Sequence, residues 1–362
     1  MNYIILARKF RPTSFTDMIG QNHIIEMIKN SFTLNKLHQS WIFSGPHGTG
    51  KTTAARLLAK SLNCKNRKNM YACNKCNHCY DMQNGCFPDL IEIDAASKTK
   101  VEDIKELLQT AKYIPMKGKY KIYLIDEIHM LSRHSFHSLL KILEEPPEYI
   151  KFIFITTEIK KIPPTILSRC IYFQFIKINE KKIQNYLKRI LNIEKVYFED
   201  DALKIISQNS GGSLRDALNL TEQALILSNQ KITKKCIINM FGILDKEKTI
   251  KIIMLILKKN SNKLMHYIEK IYYSNINLEN ILIEILKIFH EIAIIQHTTL
   301  HLTMIKNSNT ETIMNLAKLI SYKNLTKYYQ IVLMGKKTLH TAPTIKIGVE
   351  IILLNLIHAI EK

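Results

Sequence analysis

One segment constrains this chain more than any other: Gly45-Pro46-His47-Gly48-Thr49-Gly50-Lys51-Thr52, which satisfies Gly-x-x-x-x-Gly-Lys-Ser/Thr. It follows the apolar run Trp41-Ile42-Phe43 and precedes Ala54-Ala55-Arg56-Leu57-Leu58-Ala59-Lys60, so a strand feeds a glycine loop that opens a helix. Glycines let such a loop turn its N–H groups inward with no Cβ in the way, and the helix start adds its positive dipole end. Lys51 supplies a mobile charge for β- and γ-phosphates, and Thr52 offers a hydroxyl to Mg²⁺. The pattern predicts a phosphate-binding cradle at the edge of an α/β sheet.

Hydrolysis needs a second, acidic element. The run Tyr120-Lys121-Ile122-Tyr123-Leu124-Ile125-Asp126-Glu127 is apolar and β-rich and ends in two acids, as expected of a buried parallel strand whose tip reaches the ligand edge. There Asp126 is expected to hold the Mg²⁺ shell and Glu127 to polarise the attacking water. Further strands are read at Leu90-Ile91-Glu92-Ile93-Asp94, from Lys151 to Thr157, and from Cys170 to Phe175, which together with helices between them predict five parallel strands with crossover helices. Thr99 and Glu102 form a capping box ahead of Val101, Ile104, Leu107 and Leu108, and the helix through Phe136, Leu139, Leu140 and Leu143 stops at Pro146-Pro147.

Between the loop helix and the next strand stand Cys64, Cys73, Cys76 and Cys79. Two Cys-x-x-Cys steps let thiolates of one tight turn share a tetrahedral ion, and Cys64 can close the site, with His78 and Cys86 as competing fourth ligands. A reducing compartment argues against disulfides and for Zn²⁺. The segment from Lys65 to Met70 is polar and short of core residues, so zinc is expected to stabilise what packing cannot. Four cysteines leave no open coordination position, which makes the site structural.

A length of 362 residues suggests two or three domains, and an apolar content of 46% is ample for packed cores. There is no secretory leader pattern at Met1 to Leu6 and no uncharged apolar stretch of membrane-spanning length, so a cytoplasmic protein without a membrane partner is expected. The net charge of +21 invites a polyanion, but the excess is spread along a chain crowded with Lys, Ile and Asn, and it locates no site. From about Lys177 strand signals vanish. Two helical segments join at Gly211-Gly212, and Ser213 with Asp216 makes a second capping box that puts Arg215 in a first helical turn, where a cation opposes the dipole and suggests a negative partner. Residues 243–362 read as helical throughout, with stripes such as Ile345, Val349, Ile352, Leu353 and Leu356 that serve a core or a subunit interface.

Taken together, Leu6-Ala7-Arg8-Lys9-Phe10-Arg11-Pro12, the glycine loop, the cysteines, Asp89 to Ser97, Val101-Glu102-Asp103, Leu124 to Phe136, Leu143 to Glu148, Ile166-Leu167-Ser168-Arg169-Cys170 and Gly212 to Leu218 resemble the gamma/tau subunits of bacterial DNA polymerase III. That family forms the motor of the sliding-clamp loader and belongs to the AAA+ ATPases. The resemblance is dense over residues 1–242 and rests on length and helical pattern beyond. It implies an AAA+ P-loop domain at 1–178 with a five-stranded parallel sheet and a zinc knuckle inserted at 64–86. A helical lid at 179–242 and an all-helical collar for oligomerisation at 243–362 follow. It further implies Thr157 as sensor of the γ-phosphate with Thr156 as rival, Arg169 as an arginine finger reaching the neighbouring subunit's ATP, and Arg215 as the lid's sensor. Ala7, Arg8, Arg11 and Pro12 match the segment that borders the adenine. The implied activity is that of an ATPase within the DNA polymerase III holoenzyme. Its implied partners are copies of itself, delta and delta prime subunits, the sliding clamp and primed DNA.

Longer family members continue into a proline-rich linker and a segment gripping polymerase and helicase, so a chain of this length is expected to act as the short, gamma-like form. Two other readings share part of the pattern. A helicase or branch-migration motor has the ATP residues without a reason for the cysteines or the Ser-Arg-Cys finger, and a zinc-dependent nucleic-acid binding module does not need Glu127 or Arg169.

Overall fold

The computed structural model describes residues 4–97, 109–111, 113–242, 244, 246–273, 277–297 and 310–359. The capping box expected at Thr99 and Glu102 and the helical positions Val101, Ile104, Leu107 and Leu108 lie outside the described residues. The chain forms two compact units, Met1–Ile232 and Thr233–Lys362.

The first unit begins with α1 (Leu6–Lys9), α2 (Asn22–Thr33), β1 (Ser40–Ser44), α3 (Lys51–Asn63), α4 (Asn77–Gln83), β2 (Leu90–Asp94), β3 (Lys121–Asp126), α5 (Arg133–Glu144), β4 (Ile150–Thr156), α6 (Pro164–Leu167) and β5 (Ile171–Gln174). The five strands pair in parallel in the order β2-β3-β4-β1-β5. Alternation along the strands divides the core. Trp41, Phe43 and Phe173 pack with Leu58 of α3 and Ile24 of α2, while Ile42, Tyr123, Phe152 and Phe154 pack with Phe136, Leu139 and Leu143 of α5. On its buried face α3 carries Ala54, Ala55 and Ala59, small side chains that let the helix lie close to the sheet. Because β1 sits between β4 and β5, the loop that leaves it opens at the carboxyl edge of an interior strand, where ligands of such sheets bind. Asp94 and Asp126 are register partners at that same edge.

The unit continues with α7 (Glu180–Ile193), β6 (Tyr197–Phe198), α8 (Asp200–Asn209), α9 (Leu214–Leu227) and β7 (Lys231–Ile232). Asn179 caps α7 by accepting the Lys181 N–H, and Ser213 caps α9 by accepting the Asp216 N–H at 3.2 Å. Gly211 and Gly212 sit at φ +59° and +85°, which turns the chain between α8 and α9. The two-residue strands β6 and β7 pair in parallel, a departure from the purely helical reading, since a pair this short leaves no periodicity in the sequence.

The second unit is helical among its described residues: α10 (Lys234–Phe241), α11 (Lys246–Leu257), α12 (Ser261–Tyr272), α13 (Leu278–His297), α14 (Thr310–Leu319), α15 (Tyr322–Thr338) and α16 (Ile345–His358). Its core draws on Ile252, Ile268, Ile285, Leu316, Val332 and Leu353. Of the stripe on α16, Val349, Ile352, Leu353 and Leu356 are buried, whereas Ile345 in its first turn is 45% exposed. Among the described residues, no helix is long and apolar enough to cross a membrane.

Candidate functional site

The glycine loop follows the conformation its sequence demands: Gly45, Gly48 and Gly50 have φ of +146°, +68° and +98°. Lys51 folds back over the loop and its Nζ donates to the carbonyls of Gly45 at 2.7 Å and Pro46 at 2.8 Å. Burial lowers the Lys51 pKa, and Glu127 and Asp126 pull it the other way. The ammonium therefore sits desolvated and held by neutral oxygens, an arrangement that phosphate oxygens would improve. Thr52 Oγ1 donates to Asp126 Oδ2 at 2.9 Å, which joins the first turn of α3 to the tip of β3. Burial and then Glu127 raise the Asp126 pKa, and Thr52 opposes them. A half-buried carboxylate facing a threonine hydroxyl forms a donor set suited to a hard cation such as Mg²⁺.

These groups line a cleft of about 860 Å³ together with Ala7, Arg8, Arg11 and Pro12 of the N-terminal segment, His47 to Thr52 of the loop, Asp94, and Arg215 of α9. Arg8, Arg11, Lys51 and Arg215 make the cleft cationic over the loop. Glu127 takes the left-handed conformation at φ +49°, uncommon for a residue with a Cβ and a frequent mark of functional sites. Its Oε2 accepts the Thr157 N–H at 3.1 Å and the Thr157 hydroxyl at 3.0 Å. Thr157 lies one residue beyond β4, behind Glu127, while Thr156 is buried in the strand and its Oγ1 accepts the Glu158 N–H at 3.0 Å.

The lid touches the loop directly. Leu214 N–H donates to Gly48 O at 3.0 Å, and a Cβ on Gly48 would stand 1.8 Å from Ser213 Oγ. Arg215 follows at once, exposed toward the cleft. The N-terminal segment is strapped to the same helices: Leu6 N–H donates to Glu222 at 3.4 Å, Tyr186 Oη donates to Phe10 O at 3.1 Å, and Lys9 Nζ lies 2.6 Å from Glu194 Oε1. Arg169 is placed away from this cleft. Its NH2 lies 2.9 Å from Glu144 Oε1 and its NH1 donates to Thr165 O at 2.7 Å, with the side chain 34% exposed.

The sulfurs of Cys64, Cys73, Cys76 and Cys79 all lie within 4.8 Å of one another. Ligands of one tetrahedral zinc at about 2.3 Å stand about 3.8 Å apart. Cys64 ends α3, Cys76 caps α4 and Cys79 lies in its first turn, so two helix termini set the cluster. Cys73 Sγ receives N–H bonds, first from Lys75 and also from Cys76, which lower its pKa to about 6 and suit it to act as a thiolate. Burial raises Cys64 and Cys79. His78 turns its Nδ1 to Asn63 O at 2.9 Å, Cys86 is exposed, and neither joins the group. Met70 departs from expectation. Rather than adding little to a core, it is fully buried under the central sheet.

Sequence reasoning gave no role to Asp94 or His129. The acid at the tip of β2 could have been found from its alignment with Asp126, but His129 depends on a turn that no local pattern announces.

A central parallel sheet with a phosphate loop, an acidic strand tip and a helical lid on that loop defines a P-loop ATPase of the AAA+ class. Profiles match in chain order: DNA polymerase III, delta subunit, over residues 20–179, the clamp loader subunit ATPase lid domain over 182–230, and domain III of DNA polymerase III subunits gamma and tau over 232–362. The chain is 48% identical to DNA polymerase III subunit gamma of Buchnera aphidicola subsp. Baizongia pistaciae, covering 98% of this chain and 97% of that protein. It is 46% identical to the subunit gamma of the Schizaphis graminum subspecies, with both chains fully covered. With the Haemophilus influenzae subunit tau/gamma it shares 43% identity over 98% of this chain and 51% of the relative. Among solved structures, the Thermotoga maritima RuvB branch migration motor overlays 68% of this chain and 79% of its own at 20% identity with a TM-score of 0.49, too loose a likeness to weigh. The chain belongs to the DNA polymerase III subunit gamma/tau family and is an ATPase subunit of the clamp loader.

Proposed function

We propose that this chain binds and hydrolyses ATP to place a sliding clamp on primed DNA, in a ring with further copies of itself and with delta and delta prime subunits. One observation carries the reading: Thr52, Asp126 and Glu127 meet at one sheet edge beside the Lys51 ammonium. In that reading the loop from Gly45 to Thr52 wraps the phosphates, the N–H groups from His47 to Thr52 and the Lys51 ammonium donate to them, and Thr52 and Asp126 would hold Mg²⁺, which would neutralise phosphate charge. Glu127 polarises the attacking water. Thr157 and Arg215 sense the γ-phosphate from the sheet and the lid, and Ala7 and Arg11 border the base. Arg169 serves the next subunit's site, exchanging Glu144 for phosphate, and an exposed ion pair is weak enough to permit this. The nucleotide-binding part spans residues 1–178, the lid 179–242 and the collar 243–362. The four cysteines hold a structural Zn²⁺, for which their clustering speaks. The chemistry assigned to this chain is ATP hydrolysis, and nucleotidyl transfer belongs elsewhere in the holoenzyme.

The test is a pair of variants in the assembled loader. Lys51→Ala is expected to abolish tight ATP binding, whereas Glu127→Gln keeps binding and stops turnover. Glu127→Gln turning over at the wild-type rate would remove Glu127 from its role.

A further inference from the structure

Glu127 does not stand alone at the tip of β3. Its left-handed backbone leads into a single 3₁₀ turn over Ile128–Met130, closed by Met130 N–H donating to Glu127 O at 2.9 Å. That turn folds the His129 imidazole back against the carboxylate two residues earlier. Nδ1 lies 3.2 Å from Glu127 Oε2 and 3.1 Å from Thr156 Oγ1, and Nε2 lies 3.8 Å from Glu158 Oε1. The His129 side chain is only 7% exposed. Thr157 places its N–H and hydroxyl on the same Oε2. Groups from two elements, the end of β4 and the 3₁₀ turn, thus converge on one oxygen. The other, Oε1, faces His47 of the glycine loop at 3.9 Å, on the cleft side.

We propose that His129 is a positioning residue for ATP hydrolysis: its Nδ1–H donates to Glu127 Oε2 and so presents Oε1 to the attacking water. The inference rests on the reading of Glu127 as the water-polarising base. The simpler alternative is a core histidine satisfied by Thr156. Two facts weigh against it. Thr156 Oγ1 spends one of its two lone pairs on the Glu158 N–H, and a carboxylate oxygen is a stronger acceptor than a hydroxyl, so the Nδ1 proton is better placed on Glu127. An oxygen bonded from two sides also loses the freedom to rotate about the terminal torsion of glutamate, which is otherwise broad. A base fixed in orientation saves reorganisation at the moment of reaction.

The experiment compares His129→Asn, His129→Gln and His129→Phe in the complete loader with clamp and primed DNA. It measures kcat, ATP affinity and thermal stability, and repeats them in a Glu127→Gln background. Asparagine can set an amide N–H where Nδ1 stands, whereas glutamine reaches toward the Nε2 position. His129→Phe and His129→Gln are expected to lower kcat about ten-fold or more, the scale of one charge-assisted hydrogen bond, with ATP affinity and thermal stability within about two-fold and a few degrees of wild type. His129→Asn should recover kcat to within about three-fold, and His129→Phe should cost nothing further in single turnovers of Glu127→Gln. Should His129→Phe not fold, the Asn and Gln pair still decides. Equal kcat for Asn and Gln, or an equal penalty from His129→Phe with and without the Glu127 carboxylate, would overturn the proposal. A Glu127→Gln enzyme of normal rate would instead overturn the base assignment, and the positioning role with it.

Discussion

Thr52 Oγ1 and Asp126 Oδ2 are 2.9 Å apart, although their residues stand on different elements, the first turn of α3 and the last position of β3. Neither group reaches the other unless β1 and β3 lie in one sheet with β4 between them, which is the observed order. The pair proposed to hold the cation is therefore brought together by the fold. Thr52→Val is expected to remove the hydroxyl without changing shape much, leaving metal-free ATP binding within about two-fold while lowering Mg²⁺-dependent turnover by about ten-fold or more. Titrating Mg²⁺ against turnover for both proteins checks this. An unchanged Mg²⁺ requirement would take Thr52 out of the shell.

The contact between lid and loop gives a second expectation. Alanine at Gly48 would need φ near +68° and would drive its Cβ into Ser213, the cap of α9. Gly48→Ala should therefore cost about 1–2 kcal/mol of stability from backbone strain alone and weaken ATP binding further by displacing the lid. Adding Ser213→Gly should restore part of the affinity, since it removes the atom in the way. Calorimetric Kd values for the single and double variants separate the two causes. No recovery in the double variant would mean that the loop conformation, and not the lid contact, carries the loss.

For the cysteines the expectation is one zinc per chain. Chelation should release it and unfold the segment from Cys64 to Cys86 while the central sheet, tied to it by Met70, keeps most of its structure. Cys76→Ala should reproduce this with some nucleotide binding retained. Metal analysis finding no zinc, with all four thiols titrating in the native protein, would rule the metal out.

Arg169 supplies the fourth. Its pairing with Glu144 is local and exposed, so Glu144→Gln should leave the fold nearly untouched, within about 1 kcal/mol. It should also leave hydrolysis by the oligomer intact or faster if Arg169 acts in trans, because its side chain is no longer held by Glu144. Arg169→Ala should spare ATP affinity of an isolated subunit and cut oligomer hydrolysis by a factor of about 10³ or more. Rings mixed from Arg169→Ala and Lys51→Ala subunits should regain activity where an intact loop meets an intact arginine. Correctly assembled mixed rings without such recovery would sink the role in trans.

How much of this was legible in the chain differs by residue. The loop, the strand tips and the cysteines are short-range patterns whose chemistry depends on spacing, and they stand in the structure where the sequence puts them. Even the ambiguity between Thr156 and Thr157 was visible, because a strand end is uncertain by a residue, and the structure sets Thr156 in β4 and Thr157 just past it. What the sequence withheld is contact between distant segments. Nothing local shows that Ser213 meets Gly48, that Thr157 and His129 share an oxygen of Glu127, or that Lys9 pairs with Glu194. Met70 looked like part of a polar loop because burial of one side chain in such a loop leaves no period to read.

The central claim is that ATP turnover in this chain serves clamp loading, and the direct measurement is the steady-state ATPase rate of the reconstituted loader with primed DNA, with and without the sliding clamp. The expected result is a rate with clamp plus primed DNA well above that with DNA alone, lost in Glu127→Gln. Full stimulation by DNA alone, with no further effect of the clamp, would contradict it and point to a motor that acts on DNA itself.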